Sequence, residues 1–273
     1  MGPAPLPSRP CPACAPSPAL PLPVPVRCPV GIPPWRDKVR PKQENHAVPE
    51  DLFHTYRPDT GHGLRHDPFN AIVGPRPIGW ISTTGANGRD NLAPYSFFNA
   101  FNYKPPVIGF SSIGWKDTVR NIQETGEFVW NLVTQPLVER MNMSSAAFAP
   151  EIDEFEIARL AKAPSVAVRP PRVAASAVQF ECRLTQIIRL NAASGEDLST
   201  WLTLGEVVFV HIRRDLVQGG VYQTGKPHPV LRAGGAGWYS MVTPQTMFEL
   251  DRPPSVETAL AMAAQLAPTP LGP

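Results

Sequence analysis

One short stretch of the chain brings together hydroxyl groups, a lysine and the predicted start of a helix. It reads Ser111-Ser112-Ile-Gly-Trp115-Lys116-Asp117-Thr118. A helix is predicted from Lys116 to Thr125, with Asp117 or Thr118 as its N-cap and Gly126 just past its end. The free backbone N–H groups of a helix N-terminus attract anions, and a lysine adds a mobile positive charge. The stretch fits a phosphate monoester, although an ordinary capped helix with a solvated lysine has the same pattern.

A second stretch fits a planar ligand. Residues Ala93-Pro-Tyr95-Ser96-Phe97-Phe98-Asn99-Ala100 combine aromatic surfaces with polar side chains, as a site for a heteroaromatic ligand requires. The interior of any barrel also needs large residues in alternation, so this run equally fits a core strand. Further on, Leu231-Arg232-Ala-Gly234-Gly235-Ala-Gly237-Trp238-Tyr239 joins a guanidinium and two aromatic rings to a glycine-rich loop. This loop either closes over a ligand or forms a mobile turn.

The elements that must position these residues are mostly short strands separated by turn formers. Strands are predicted over Ile78 to Thr84, Asn91 to Asn99, Pro106 to Ser112, Glu127 to Thr134, Ala177 to Leu190 and Trp201 to Arg213. Two further helices are predicted over Pro136 to Ala147 and Ser255 to Leu266, and the second either packs on the barrel or on a partner subunit or is solvated on all sides. Many short strands, with neither βαβ alternation nor a G-x-G-x-x-G motif, favour a barrel or sandwich over a doubly wound sheet.

The N-terminal 41 residues differ in composition from the rest of the chain. Residues 1–40 hold 13 of the 35 prolines and three of the four cysteines. Proline lacks a backbone donor, so we expect a disordered or polyproline-like tail and no signal peptide. Cys11-Pro-Ala-Cys14 has no second cysteine pair, so no metal site is expected. Cys182 stands alone in a strand pattern as a small buried hydrophobe, and a reducing cytoplasm is the expected location.

The overall balance of charge excludes several classes of partner. The net charge is +2, with 42% hydrophobic and 18% charged residues. This composition predicts a globular domain with a real core and gives no attraction to nucleic acid or to an anionic membrane. No apolar run approaches the ~18 residues of a membrane helix.

Taken in order along the chain, these motifs resemble the flavin reductase family of FMN-binding split barrels. The resemblance covers roughly residues 54–243 and leaves out the proline-rich tail and the end after Thr246. Its motifs are Gly74-Pro-Arg76-Pro77-Ile-Gly79-Trp80-Ile-Ser82-Thr83, Asn91-Leu-Ala-Pro94-Tyr95-Ser96-Phe97-Phe98-Asn99, Lys116-Asp117-Thr118 with Asn121, Phe128-Val-Trp-Asn131-Leu132, Glu154-Phe155, Pro170-Pro171-Arg172-Val173, Phe180-Glu181-Cys182 and Gly205-Glu206-Val207-Val208.

The resemblance implies a mainly β fold, a six-stranded Greek-key split β-barrel with a few peripheral helices, that works as a homodimer with FMN near the interface. The expected domains are a Pro-rich tail over 1–41, the FMN-binding domain over 42–246, and a C-terminal extension with a short helix over 247–273. Carried over position by position, the residues that line the flavin ring and its ribityl chain are Arg76, Pro77, Ser82, Thr83, Asn91, Ala93, Pro94, Tyr95, Ser96, Phe97 and Phe98. Those expected at the phosphate are Ser111, Ser112, Lys116, Asp117 and Thr118.

Two features depart from the family pattern or stay open. Ala174-Ala175-Ser176-Ala177 stands where the family's commoner form is Ala-Glu-Ser-Pro, so an acid that serves a loop contact or dimer salt bridge is missing. His211 lies in a strand pattern, and it either lies near the nicotinamide site or is structural.

The activity implied by the resemblance is hydride transfer from NAD(P)H to FMN, with reduced flavin feeding a partner monooxygenase or passing electrons on. Cofactors carry such chemistry, and no side-chain nucleophile is needed. The alternatives are a flavoredoxin-like electron carrier that reacts little with NAD(P)H, and a related barrel that oxidises a small organic substrate. The sequence does not tell NADH from NADPH preference, and it identifies neither the electron acceptor nor whether FMN stays bound.

Overall fold

The computed structural model describes residues 52–267, so the tail over 1–41 and its Cys11-Pro-Ala-Cys14 motif lie outside the described residues. The strands are β1 Arg76–Pro77, β2 Gly79–Thr84, β3 Asp90–Tyr95, β4 Phe98–Asn102, β5 Val107–Ile113, β6 Glu127–Asn131, β7 Lys162–Ala163, β8 Arg172–Val173, β9 Val178–Asn191, β10 Asp197–Ile212, β11 Val217–Gln218, β12 Val221–Tyr222, β13 Val230–Gly234 and β14 Trp238–Met241. The α-helices are α1 Phe69–Ile72, α2 Asp117–Thr125, α3 Val138–Met143, α4 Glu154–Ile157 and α5 Val256–Ala263. Short 3₁₀ turns occupy Gln135–Leu137, Arg214–Leu216 and Pro244–Thr246.

The largest sheet is antiparallel and curls so that its two edges meet. Its seven strands follow the order β3-β2-β6-β9-β10-β5-β4. The edge strands β3 and β4 are consecutive in the chain and are separated only by Ser96 and Phe97. Because a two-residue connection spans only a few ångströms, the opposite edges of this sheet must lie side by side. The mainly β class with few helices is therefore confirmed.

The strand expected over Asn91 to Asn99 is two strands, which is why the sheet has seven strands instead of six. Its first part pairs with β2, where Tyr95 lies opposite Gly79. Its second part pairs with β5, where Phe98 lies opposite Phe110. The chain changes neighbour at Ser96 and Phe97, and residue patterning alone does not show such a change.

Both faces of the sheet are buried at strand β2. Trp80 packs with Leu92 and Phe155 in a cluster beside α3 and α4. The next residue, Ile81, points to the opposite face, where it packs with Phe110 and Phe128 inside the curl. Cys182 is fully buried in this second cluster, as expected for a small hydrophobe, and burial raises the pKa of its thiol well above the usual value.

The two longest strands, β9 and β10, form a hairpin in the middle of the sheet. Strand β10 begins at Asp197, four residues before the predicted start at Trp201, and Asp197 lies opposite Asn191. This end of the hairpin is exposed or only partly buried, so Asp197, Ser199 and Thr200 are polar. Because loops are polar too, the sequence pattern did not distinguish these residues from a loop.

The helices are shorter than predicted. Lys116 is the N-cap of α2, in place of Asp117 or Thr118, and Gly126 ends the helix with φ 74° as expected. The region predicted as a helix from Pro136 begins as a 3₁₀ turn and continues as α3. Ser255 caps α5 by accepting the N–H of Thr258 at 3.1 Å. No residue of α5 is buried, so the alternative that it packs on the barrel is wrong within the described chain.

Across residues 52–267, no helix is long and apolar enough to cross a membrane.

Candidate functional site

A cavity of about 240 Å³ lies where β1, β13, the end of β3 and the start of α2 approach one another. Seven of the residues predicted to contact FMN line it together. Its lining residues are Asn70, Arg76, Pro94, Tyr95, Ser96, Phe97, Ser111, Ile113, Lys116, Arg232 and Gly235. The structure therefore brings the predicted phosphate stretch and the predicted aromatic stretch to one place, although they lie on different strands.

A second cavity of about 270 Å³ adjoins the first, because both are lined by Pro94, Tyr95, Ser96 and Arg232. Its remaining lining residues are Ile78, Met141, Asn142, Ser145, Ala236 and Tyr239. We call the first cavity the Lys116 chamber, the second the Tyr239 chamber, and the two together the groove. Neither chamber alone reaches the volume range usual for small-molecule sites, but the two together do.

Arg76 is held in the Lys116 chamber by the carbonyl groups around it. Its Nε donates to the carbonyl oxygen of Ser96 at 2.9 Å, and its Nη1 donates to that of Asn70 at 2.7 Å and to that of Val73. The guanidinium carbon lies 5.3 Å from the centre of the Phe97 ring, within the range of a cation–π contact. These contacts fix the position of the charge without neutralising it.

Arg232 faces Arg76 directly across the pair of strands β1 and β13. Like charges in this position repel each other. Burial and the charge of Arg232 lower the pKa of Arg76 below its usual value. Arg232 donates through Nη2 to the carbonyl oxygens of Gly235 and Ala236, each at 2.9 Å, and its guanidinium lies 4.9 Å from the Tyr239 ring centre.

No carboxylate in the described part of the chain compensates these charges. The residues that line the groove include no aspartate or glutamate. Among the described residues, Arg76, Arg232 and Lys116 take part in no ion pair. Three cationic side chains thus converge on the Lys116 chamber with no protein anion, an arrangement suited to a negatively charged ligand.

The chain enters α2 through a turn that follows β5. Gly114 has φ +88°, and the hydroxyl of the buried Ser112 donates to its carbonyl oxygen at 2.9 Å. Lys116 follows as N-cap with extended backbone and makes no side-chain capping bond. The first N–H groups of the helix therefore lack a side-chain acceptor.

Tyr95 lines both chambers and carries a polar atom without a partner. Its side chain is buried, with the ring centre 4.4 Å from that of Phe110. Its hydroxyl finds no hydrogen-bond partner among the described residues. Burial raises the pKa of Tyr95 to about 12, against the lowering effect of the neighbouring Thr118 and Ser112 side chains, so the phenol stays protonated at neutral pH.

Two of the predicted phosphate residues have protein partners instead. Asp117 lies 2.6 Å from the guanidinium of Arg120 and does not line the groove. The hydroxyl of Thr118 is buried and accepts the side-chain N–H of Asn91 at 2.9 Å. The structure therefore brings Ser111 and Lys116 to the chamber, but not Asp117 or Thr118.

Ser82 and Thr83 are also not brought to the groove. Both side chains are fully buried, so a ligand cannot reach them without rearrangement. The hydroxyl of Ser82 donates to the carbonyl oxygen of Pro171 at 2.6 Å, and that of Thr83 accepts the side-chain N–H of Asn121 at 3.1 Å. The predicted contacts that likewise do not line the groove are Pro77, Asn91, Ala93, Phe98 and Ser112.

His211 lies on another side of the protomer. Its Nε2 is 2.6 Å from Oε1 of the fully buried Glu181. It borders a separate open depression with Arg172 and Arg213, and it does not line the groove. In the described part of the chain, His211 is therefore paired with Glu181 and lies apart from the groove.

Sequence reasoning did not select Arg232, Asn70 or Ile113 as site residues. Arg232 lies in the glycine-rich stretch that was expected to close over a ligand or to form a turn, and it forms part of a strand. Asn70 is in the short helix α1 and contributes its backbone carbonyl, which no residue pattern indicates. Within residues 52–267, no group of three or more His, Cys, Asp or Glu side chains could hold a metal ion.

Similar proteins agree with this fold. An uncharacterised protein of Halalkalibacterium halodurans is 37% identical over 200 residues, which are 69% of this chain and 92% of that protein. The crystal structure of nitrilotriacetate monooxygenase component B from Bacillus cereus matches with a TM-score of 0.64 and 28% identity, over 72% of this chain and 98% of that one. A split-barrel-domain protein from Shewanella frigidimarina matches with a TM-score of 0.58 and 24% identity, over 69% of this chain and 90% of that one.

The curled sheet is thus the split barrel that the sequence predicted. The family model for the flavin reductase like domain matches residues 74–230, more than half of the chain. That segment includes β1 with Arg76, the end of β3 and the start of α2, but it ends before Arg232. By this match the chain belongs to the flavin reductase-like domain family, whose members are flavin-related oxidoreductases.

Proposed function

We propose that the groove binds FMN and that the protein transfers hydride from NAD(P)H to it. The observation that carries this proposal is the convergence of Arg76, Lys116 and Arg232 on one chamber without a carboxylate. A phosphate monoester carries about −1.5 to −2 charges at neutral pH and would relieve the repulsion between these cations.

The residues of the Lys116 chamber fit the phosphate end of FMN. Lys116 supplies a mobile charge and Ser111 a hydroxyl, beside a helix start whose N–H groups lack a side-chain cap. Tyr95 lines both chambers, while its hydroxyl is buried away from them. Lys116 and Ser111 can each donate to an acceptor oxygen of the ligand.

The Tyr239 chamber fits the planar end of the cofactor. Ile78, Met141 and Tyr239 supply apolar and aromatic surface, while Ser96 and Asn142 supply polar groups at its edge. Bound FMN supplies the redox chemistry by accepting two electrons as a hydride from a reduced nicotinamide. The chain's own task is to hold the cofactor, keep its charge neutralised and exclude water, so no side-chain nucleophile is required.

The family relationship supports a fuller assignment. The Bacillus cereus neighbour is named as component B of a monooxygenase, and we propose that this chain likewise supplies reduced flavin to a partner monooxygenase in the cytoplasm. We also propose a homodimer, supported by the large side chains that β10 and β12 leave exposed, namely Phe209, Val210, Ile212 and Val221.

The proposal is tested first by titrating purified protein with FMN and following the quenching of flavin fluorescence. The variant Lys116→Gln should weaken FMN binding by about tenfold, because it removes a charge-assisted hydrogen bond to phosphate. Lys104→Gln is the matched control, since Lys104 is exposed, lies 5.5 Å from the Tyr103 ring centre and makes no side-chain hydrogen bond or ion pair with any described residue. Absence of FMN binding by the unaltered protein would refute the proposal.

The second step adds NADH or NADPH without oxygen and follows the visible absorbance band of oxidised flavin. Rapid bleaching supports the reductase activity and gives the nucleotide preference directly. Tight FMN binding without bleaching would instead support the electron-carrier alternative, and the search would turn to a redox partner.

A further inference from the structure

The charge of the groove exceeds what FMN alone can neutralise. Arg76, Lys116 and Arg232 carry three positive charges in the Lys116 chamber, and no acid lines either chamber. One phosphate monoester brings at most about two negative charges. If FMN binds as proposed, about one positive charge stays uncompensated, so the groove retains attraction for a second anion.

The position of Arg232 identifies it as the residue that carries this excess. Arg76 and Lys116 line only the Lys116 chamber, whereas Arg232 lines both chambers. It therefore stands between the proposed phosphate position and the proposed position of the flavin ring, to which a second substrate must deliver its hydride. A group there can contact both the bound cofactor and the incoming molecule.

The present contacts of Arg232 leave it free to change partner. Its hydrogen bonds go to the neutral carbonyl groups of Gly235 and Ala236, in the turn between β13 and β14. Hydrogen bonds between a guanidinium and a phosphate are charge-assisted and stronger than those to neutral acceptors. The turn also contains Gly237, where an added side chain would meet nothing within 4 Å, so there is space on this side of the turn.

We propose that Arg232 binds a phosphate group of the nicotinamide dinucleotide that delivers the hydride. This inference rests on the proposed function and adds a specificity-determining residue to it. Both the pyrophosphate of any dinucleotide and the 2′-phosphate of NADPH offer the required chemistry. The fork of the guanidinium suits either, because each presents two oxygens side by side.

The test compares Arg232→Gln with the unaltered protein, both loaded with FMN. Calorimetric titration with NAD⁺ and NADP⁺ measures dinucleotide affinity without any turnover. We expect Arg232→Gln to weaken dinucleotide binding to the FMN-saturated protein by about tenfold, as a separate effect from any loss of FMN affinity. Arg214→Gln is the matched control, because Arg214 is exposed and makes no side-chain hydrogen bond or ion pair among residues 52–267.

The two dinucleotides separate the two sources of phosphate. Equal weakening of NAD⁺ and NADP⁺ assigns the pyrophosphate to Arg232, and weakening of NADP⁺ alone assigns the 2′-phosphate. The variant Arg232→Lys keeps the charge but not the fork, so it should show an intermediate affinity. It also replaces Arg232→Gln as the test variant if the latter does not fold.

Two results would overturn the inference. In one, the variant binds both dinucleotides as tightly as the unaltered protein. In the other, FMN affinity falls and dinucleotide affinity does not, which would place Arg232 in the flavin phosphate site. Failure of the unaltered protein to bind FMN is a different result, since it removes the proposed function before any variant is compared.

Discussion

Nε2 of His211 lies 2.6 Å from Oε1 of Glu181, a carboxylate that is fully buried on the neighbouring strand β9. The same carboxylate accepts the backbone N–H groups of Val166, Ala167 and Val168. One buried acid therefore fastens the loop before β8 to the β9–β10 hairpin. Both carboxylate oxygens accept hydrogen bonds, which a buried charge needs in place of water.

Replacing Glu181 by Gln should destabilise the fold in a pH-dependent way. Burial alone raises the pKa of Glu181, but the hydrogen bonds from His211, Ala167 and Val166 outweigh it and hold the pKa below its usual value. A lowered pKa stabilises the folded state above the unfolded pKa of ~4.3, and this stabilisation is lost as the pH falls through the folded pKa. At neutral pH we expect Glu181→Gln to lower the free energy of unfolding by about 2–4 kcal/mol.

Urea denaturation at neutral pH and near pH ~3 measures this difference, which should shrink at the lower pH. Glu196→Gln is the control, because Glu196 is exposed in the turn between β9 and β10. A destabilisation of equal size at both pH values would show that the ionised carboxylate of Glu181 does not stabilise the fold.

Gly205 lies where β10 passes over the inner core, and it should tolerate no side chain. A Cβ there would lie 2.3 Å from Cε1 of the fully buried Phe128 and 3.2 Å from the carbonyl oxygen of Arg183. Overpacking of this kind costs about 1–3 kcal/mol, so Gly205→Ala should lower the unfolding midpoint. Gly237→Ala is the matched control, since nothing lies within 4 Å of an added Cβ. Equal midpoints for the two variants would contradict the packing at Phe128.

Local patterns predicted most of the strands but not their neighbours. The runs that became β2, β5 and β6 hold apolar residues because they are largely buried, and burial leaves a direct trace in composition. The change of partner at Ser96 and Phe97 leaves no such trace, because it depends on which edge each half of the chain meets. Sheet order is a long-range property that residue types at one position do not encode.

The candidate site shows the same division. Lys116 was predicted from a local cause, the start of a helix beside hydroxyl groups, and the structure places it in the groove. Arg232 stood out only as the guanidinium of a loop that either closes over a ligand or forms a turn, because its importance comes from lying opposite Arg76, more than 150 residues earlier in the chain. The resemblance placed Ser82 and Thr83 at the flavin, whereas their hydroxyls are buried and bonded within the protein.

Ser82→Ala should therefore affect stability and not cofactor binding. It removes the hydrogen bond to the carbonyl oxygen of Pro171 and leaves that acceptor unsatisfied, at a cost of about 1–2 kcal/mol. FMN affinity should stay within about twofold of the unaltered protein, while Ser111→Ala should weaken it severalfold, by about 1 kcal/mol. Parallel FMN titrations and denaturation curves measure both effects. If Ser82→Ala weakened FMN more than Ser111→Ala did, the ligand would contact β2 and not the groove.

Deleting residues 247–273 should leave the stability of the barrel unchanged. Helix α5 buries none of its residues, and Val256 and Leu260 are 78% and 67% exposed. Phe248, between β14 and the helix, is 88% exposed, so residues 247–267 contribute little apolar burial to the barrel. We expect the free energy of unfolding of the shortened chain to agree within about 0.5 kcal/mol with that of the full chain, as for a surface change. Sedimentation measured on both chains would show whether these exposed side chains join copies of the protein. A large loss of stability accompanied by loss of the dimer would show that α5 packs on a second copy.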